Sequence, residues 1–277
     1  MKYLLSLTGL MLMLGANISA TIIVESHWRM GEEAGDFAGS VDSVGGRNFN
    51  TSAGPLAFAG DPAPSSNGST TAANTRNLTG RAGFFGPATS SFMPADNWGV
   101  EMWARSANTT QAISLMEVQG GGPVNGNLKI SQLAGDWAAS YHGVAWIGAN
   151  NGAGQTVTAE TWTHLAVVRD AGTTSLYIDG QPQVGTIADA PVWGNSLHLG
   201  VLPGGAAGWE GDFDEVRAFT FTPGAFNPNT DLLFSNIPEP QTFMLVLLGG
   251  LPLIHLMRKR QATASSTTSK ARPVRLL

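Results

Sequence analysis

The sequence predicts an all-β fold of short antiparallel strands, closed as a sandwich or as a barrel. Three observations carry this. Glycine supplies 35 of the 277 residues while charged residues make up only 13%, so turns are frequent and amphipathic helices have little to be built from. Alternating runs recur at 22–28, 98–105, 112–118, 128–133, 162–169, 174–178, 197–201 and 213–221, the period-two pattern of half-buried strands. Between them lie turn signals such as Gly120-Gly121-Gly122-Pro123, Asn150-Asn151-Gly152, Asp170-Ala171-Gly172, Asp179-Gly180 and Pro203-Gly204-Gly205, at the spacing of a sandwich or barrel.

Among these elements the clearest hairpin runs from Trp162 to Arg169, turns at Gly172, and returns from Thr174 to Ile178 before closing at Asp179-Gly180. A tight connection makes the two strands antiparallel. Leu165 and Val167 fall on one face, His164, Ala166 and Val168 on the other; both faces are apolar enough to place the hairpin inside a layered structure. The segment 50–91, rich in Gly, Ala, Ser, Thr and Asn with Pro55, Pro62, Pro64 and Pro87, reads as long surface loops. Near the end of this region, Asp231-Leu232-Leu233-Phe234 predicts a short helical turn or a last strand.

The two ends have a different character. Lys2, an apolar run from Tyr3 to Leu14, and Asn17-Ile18-Ser19-Ala20 form a signal-peptide pattern over 1–20 with cleavage expected after Ala20. From Phe243 to Met257 the chain is apolar but is interrupted by Gly249-Gly250, Pro252 and His255. As a helix it spans about 22 Å, short of a hydrocarbon core of about 30 Å, and it is followed by Arg258-Lys259-Arg260, the arrangement of a membrane stop with its basic end inside. The tail 261–277, with Ser265-Ser266-Thr267-Thr268-Ser269 and three further basic residues, reads as disordered. This leaves 21–236 for the folded domain.

Composition excludes several functions. Between residues 21 and 236 nineteen acidic residues face eight basic ones, a net of −11, which removes nucleic acid as a partner. With no cysteine there is no disulfide frame, thiol nucleophile or thiolate metal site. No Gly-x-Ser-x-Gly elbow, His-Glu-x-x-His pair or phosphate loop occurs, and His27, His142, His164 and His198 are scattered singly; a lone strand histidine reads as a hydrogen-bonded structural residue.

Taken together, Trp98-Gly99-Val100-Glu101-Met102-Trp103, Trp162-Thr163-His164-Leu165-Ala166-Val167-Val168, Leu176-Tyr177-Ile178-Asp179-Gly180 and Gly211-Asp212-Phe213-Asp214-Glu215-Val216-Arg217 resemble, in order, core strands of the laminin G-like, concanavalin A-like jelly roll over residues 22–222. His27-Trp28-Arg29-Met30-Gly31-Glu32 resembles the first strand of its bacterial, surface-attached members. The resemblance implies two antiparallel sheets packed face to face, a shape shared by carbohydrate-binding lectins, adhesion domains and some glycoside hydrolases. Separately, Pro238-Glu239-Pro240, the short apolar helix and the Arg258-Lys259-Arg260 stop resemble the PEP-CTERM sorting signal of Gram-negative bacteria. That implies an exosortase as processing partner, passage through the inner membrane, and a final place at the cell surface or in an exopolysaccharide matrix. The chain departs from that pattern in running on for seventeen residues after the basic cluster.

Three sets of candidate residues follow. Glu210-Gly211-Asp212-Phe213-Asp214-Glu215 formally fits the Glu-x-Asp-x-x-Glu pattern of retaining glucanases of this shape, with Glu210 and Glu215 as the carboxyl pair; such enzymes need the two about 5–5.5 Å apart, and on a strand this requires a bulge. Against catalysis, the same residues read as a structural closing strand, with Asp214 on one face with Val216 and Ala218 and accepting backbone hydrogen bonds. Among the eight tryptophans, Trp98, Trp103 and Trp162 are expected in the core. Trp137, Trp146, Trp193 and Trp209 lie near Gly-rich turns, and of these Trp146, Trp193 and Trp209 are candidate sugar-stacking platforms. Calcium occurs at the sandwich rim of relatives, and Asp170 and Asp189 are the candidate loop acids, although no ligand spacing is matched. The expectation is a non-catalytic exported module that binds or packs into extracellular polysaccharide. A glycoside hydrolase using Glu210 and Glu215 and an adhesive spacer with no defined ligand are the alternatives.

Overall fold

The computed structural model describes residues 22–33, 40–51, 57–59, 61–64, 71–74, 84–119, 127–141, 145–148, 155–194, 196–200 and 208–236. The signal-peptide pattern, Ala20, the Pro238-Glu239-Pro240 element, the apolar segment 243–257 and the basic cluster lie outside these residues. Among the described residues no helix is long and apolar enough to cross a membrane.

Among the described residues fifteen strands build two antiparallel sheets, so of the two closures the sequence permits the chain takes the sandwich, a jelly roll. In chain order they are β1 (Ile23–Trp28), β2 (Asn50–Thr51), β3 (Ala57–Ala59), β4 (Ala72–Asn74), β5 (Phe84–Phe85), β6 (Trp98–Ser106), β7 (Ile113–Gln119), β8 (Leu128–Leu133), β9 (Asp136–Tyr141), β10 (Ala145–Gly148), β11 (Trp162–Asp170), β12 (Thr173–Ile178), β13 (Gln181–Pro182), β14 (Ser196–Leu199) and β15 (Gly211–Thr220). The first sheet runs β13-β12-β11-β6-β15-β4-β3, with β1 also pairing β15; the second runs β10-β9-β8-β7-β14-β5-β2. The segment 50–91, expected to be surface loops, instead supplies β2 to β5. These strands are two or three residues long, too short to show alternation, yet they close both sheets and Phe84 is fully buried.

Three two-residue turns set the hairpin registers. At Ala171-Gly172, Asp179-Gly180 and Ala134-Gly135 both central residues have positive φ, the geometry whose twist matches that of the flanking strands. Glycine fills the second position each time because only it adopts this conformation without a Cβ clash.

Between the sheets lies one apolar core that includes Trp28, Trp98, Phe84, Met102, Leu165 and Phe213. A second, smaller core lies on the outer face of the first sheet. Ala166, Val168 and Phe219 are covered there by Phe221, Phe226 and Leu232 from the chain after β15. That chain forms a strap: helix α1 (Pro228–Asp231), capped by the Asn227 side chain accepting from the Asn229 N–H, then a 3-10 turn (Leu233–Asn236). Of the two possibilities for residues 231–234 the helical one is realised. Both faces of the β11–β12 hairpin are therefore covered, as its sequence requires.

Candidate functional site

The outer face of the second sheet carries a row of directly paired residues. Trp146 on β10 pairs with Ser140 on β9, Ser140 with Lys129 on β8, Lys129 with Glu117 on β7, Glu117 with His198 on β14, and His198 with Phe85 on β5. Five strand steps of about 4.8 Å make the row roughly 24 Å long, with an aromatic ring at each end and polar groups between. Trp146 is 39% exposed because its neighbour Ile147 takes the inward position in the core. Beside it is a groove of about 230 Å³ lined by Trp146, Ser140, Lys129, Ser131, Ser114 and Ile113. Small hydroxyl residues floor it and leave its space open: Ser114 and Ser131 share a 3.1 Å hydrogen bond.

The groove has fixed polarity. Lys129 Nζ is 3.0 Å from Glu117 Oε2. The Ser140 hydroxyl is buried and makes no bond to any described residue. His198 bonds through Nε2 to the Ser196 hydroxyl at 2.7 Å and Phe85 stands edge-on to its ring. Burial lowers the His198 pKa and outweighs the nearby Glu117 charge, which acts the other way; the ring is neutral at pH 7.

The carboxylates of the Glu-x-Asp-x-x-Glu pattern lie in different environments. Glu210 is exposed, whereas Asp212 and Glu215 are fully buried. Asp212 accepts from Arg105 Nε at 2.8 Å, and Arg105 also pairs with Asp61 and lies over the Trp162 ring. Glu215 accepts from His27 Nε2 at 2.5 Å and faces Arg29 Nε at 3.5 Å. A carboxylate so enclosed presents no oxygen to a sugar. β15 does contain a bulge: Asp214 pairs with Trp103 and Arg217 with Glu101, so three steps on β15 match two on β6. It is placed at Glu215, whose φ is 48°, and not at Gly211. Because of it Asp214 does not share a face with Val216 and Ala218, as strict alternation predicts. Val216 and Ala218 point into the sandwich core, while Asp214 accepts from the Ala63 and Glu215 backbone N–H groups at 2.9 and 2.8 Å, the buried backbone-bonded role the sequence suggests for it.

Glu32, Asp214 and Glu215 bring carboxylate oxygens within 4.8 Å of one another. Hydrogen-bond donors already serve this group: Thr71 donates to Glu32 through both its N–H and its hydroxyl, in addition to the bonds to Asp214 and Glu215 above. Among the described residues Asp170 and Asp189 belong to no such cluster. Asp170 accepts from the Gly224 N–H at 2.9 Å, and the exposed Asp189 contributes its backbone carbonyl to Arg169.

Under the strap lies a buried ionic network. Glu101 has no exposed surface; Oε1 accepts from Arg217, and Oε2 accepts from His164 Nε2 and from the Leu233 N–H, both at 2.9 Å. Arg217 also donates to the Asp231 carbonyl at 2.6 Å. Burial raises the Glu101 pKa, but the Arg217 charge, the His164 hydrogen bond and the Leu233 N–H outweigh it and hold the carboxyl below its ordinary value. His164 and His198 are thus both hydrogen-bonded structural residues.

Of the tryptophans expected near the surface, Trp137 and Trp209 are fully buried. Trp209 cannot be a sugar platform, because its ring stacks on Phe213 in the core at 4.7 Å. Trp193 is half-buried, edge-on to Trp98, and donates to the Pro94 carbonyl at 2.5 Å. Trp146 alone of the three candidates offers an open ring. Sequence reasoning missed Ser114, Ser131, Ser140, Lys129 and Glu117. The signal was present in Leu133-Ala134-Gly135-Asp136: a two-residue turn there sets the β8–β9 register and pairs Lys129 with Ser140.

Residues 67–223 match the family described as the concanavalin A-like lectin/glucanases superfamily. Among solved structures, domain 4 of AbnA, a GH43 extracellular arabinanase from Geobacillus stearothermophilus, solved in complex with arabinotriose, is similar at 17% identity with a TM-score of 0.59. The match covers 78% of this chain and 99% of that one. Trypanosoma rangeli sialidase is similar at 12% identity and a TM-score of 0.54, over 76% of this chain; the chain spans 32% of the sialidase's length. At these identities the likeness is one of fold. No curated protein matches the sequence.

Proposed function

This chain belongs to the concanavalin A-like lectin/glucanases superfamily, and we propose that its sandwich is a non-catalytic carbohydrate-binding module that seats a polysaccharide on the outer face of the second sheet. The observation that carries this is the exposed Trp146 beside a hydroxyl-floored groove. An aromatic face covers the apolar side of a sugar ring, and fixed serine, lysine and glutamate groups take its hydroxyls. The burial of Glu215 and Asp212 argues against the hydrolase alternative built on Glu210 and Glu215. The superfamily includes both lectins and glucanases, and the arabinotriose complex of the similar domain puts neutral oligosaccharides first among ligands to test.

The full-length protein titrated calorimetrically against a glycan panel tests this. Wild type binds at least one neutral polysaccharide, and Trp146→Ala weakens that binding about tenfold or more, while Trp193→Ala leaves it within about twofold. Equal binding by wild type and Trp146→Ala refutes the site. The module is proposed to act outside the cell, exported by the 1–20 signal and sorted through Pro238-Glu239-Pro240 and Arg258-Lys259-Arg260 by an exosortase. Mass spectrometry of the mature chain tests that: loss of 1–20 and of the segment beyond the Pro238 motif is expected, and a mature chain that retains both refutes it.

A further inference from the structure

The groove continues past the N-terminal end of β7. Ala112 and Ile113 line it and also line a second cavity of about 340 Å³, whose other walls include Asn108, Thr110, Gln111 and Glu210. We infer that this rim cavity is a second subsite for the same polysaccharide chain, in which the Glu210 carboxylate receives hydroxyls of a neutral sugar and rejects anionic ones. The inference rests on the groove reading above and extends it to chain length and charge.

The backbone geometry at Glu210 is built. The Glu210 N–H donates to Gln111 Oε1 at 2.7 Å, while the Glu210 carbonyl accepts from Gln111 Nε2 at 2.8 Å and from the Ala107 N–H at 3.0 Å. One amide side chain thus clamps the backbone from both sides. Trp209, buried immediately before it, pins the same point from within. The carboxylate itself is exposed and bonds to no described residue.

Across the cavity the loop is equally fixed. Asn108 Oδ1 accepts from both the N–H and the hydroxyl of Thr110, at 3.0 and 3.1 Å, and the Asn108 carbonyl accepts from Gln132 Nε2 at 2.8 Å. The Asn108 amide nitrogen is left without a described partner. A carboxylate that accepts and an amide that donates, both carried on held backbone, are the pair needed by adjacent sugar hydroxyls, which each donate one bond and accept others. Little backbone entropy remains to be lost on binding, because the backbone on both sides is already held.

Charge sets the class of sugar. Lys129, the one cation among the described groove residues, is spent on Glu117, so nothing there compensates a carboxylate or sulfate on the ligand. At the rim such a group meets Glu210, and the surrounding domain carries a net charge of −11 over 21–236. Anionic polymers are repelled at contact and at a distance.

The test is calorimetric titration of the full-length protein with oligomer series of one to six units from neutral arabinan, galactan, glucan and mannan, with polygalacturonate as the anionic polymer. For the neutral series that wild type binds, affinity is expected to rise about tenfold or more between the shortest binder and the longer oligomers. Glu210→Gln removes that rise and leaves the shortest binder unchanged, and Glu210→Lys gains affinity for polygalacturonate. If Trp146→Ala abolishes binding while Glu210→Gln keeps the full rise with length, the rim subsite is refuted and the groove stands. If wild type prefers polygalacturonate, the charge selection is refuted. If no neutral series binds, the groove reading fails, and the subsite with it.

Discussion

Replacing Glu101 with alanine tests whether the strap is held by ionic bonds or by its apolar contacts alone. The carboxylate accepts four donor atoms: Nε and a terminal nitrogen of Arg217, His164 Nε2 and the Leu233 N–H. All lie under the strap; Glu101 and His164 have no exposed surface and the Arg217 side chain is 10% exposed. Alanine leaves an imidazole and a backbone N–H with no acceptor and a buried guanidinium with only the Asp231 carbonyl. Removing one partner of a buried pair costs about 3–5 kcal/mol. In a domain of this size each kcal/mol is about 2–4 °C of Tm, so differential scanning calorimetry at pH 7 gives a fall of roughly 6–20 °C. A fall of less than about 3 °C refutes the reasoning and assigns the strap's retention to Phe221, Phe226 and Leu232. Acidification adds a second reading. The Glu101 pKa is below its ordinary 4.5 in the folded state, so its stabilisation is fully present above 4.5 and is lost as pH falls through the folded value. The contribution of the Glu101 carboxyl itself to the difference between wild type and Glu101→Ala therefore narrows only below 4.5.

Three further outcomes follow from geometry described above or adjoining it. Asp42 accepts from the His27, Val44 and Arg47 N–H groups at 2.9, 3.0 and 3.0 Å; burial raises its pKa and these backbone bonds outweigh it, holding it low. Asp42→Ala costs about 2–4 kcal/mol in urea unfolding and opens 43–48 to limited proteolysis, an effect absent if the turn holds itself. Gly99 lies against the Phe219 ring, which a Cβ there would enter; Gly99→Ala costs about 1–3 kcal/mol, and Phe219→Leu in the same chain recovers part of it. Trp209→Ala costs about 3–5 kcal/mol but leaves binding to short oligosaccharides unchanged in the folded fraction, whereas Trp146→Ala reverses the pattern, with Tm within about 1 °C of wild type.

The long strands were legible because each buries one regular face. Leu128–Leu133 and Trp162–Asp170 emerge within a residue of their alternating runs. β9 was not legible because its outward positions hold Ala138 and Ser140, small residues that blur the contrast with Trp137, Ala139 and Tyr141 facing inward. That blurring has the same cause as the groove: large side chains there would fill it. β2 to β5 were hidden by brevity. The reversal of faces along β15 was invisible because the bulge sits at Glu215, a residue with no intrinsic preference for positive φ, held there by its bonds to His27 and the pairing on either side. Proximity to glycine proved a poor guide to exposure, since Trp209 beside Gly208 and Gly211 is wholly buried. The candidate site was half legible: Trp146 by type and position, its polar neighbours only through cross-strand register.

The strap also determines how the domain would bear a load. Any pull on the chain beyond Asn236 arrives at the outer face of the first sheet, opposite the groove. It meets the contacts of the strap one after another: first Phe234 against Trp103 and His164, then the Leu233 N–H on Glu101, then the Asp231 carbonyl on Arg217. These part in sequence, as a peel, and tension reaches β15 only after the last has gone. The strap is thus the part of the domain that such a pull would undo first.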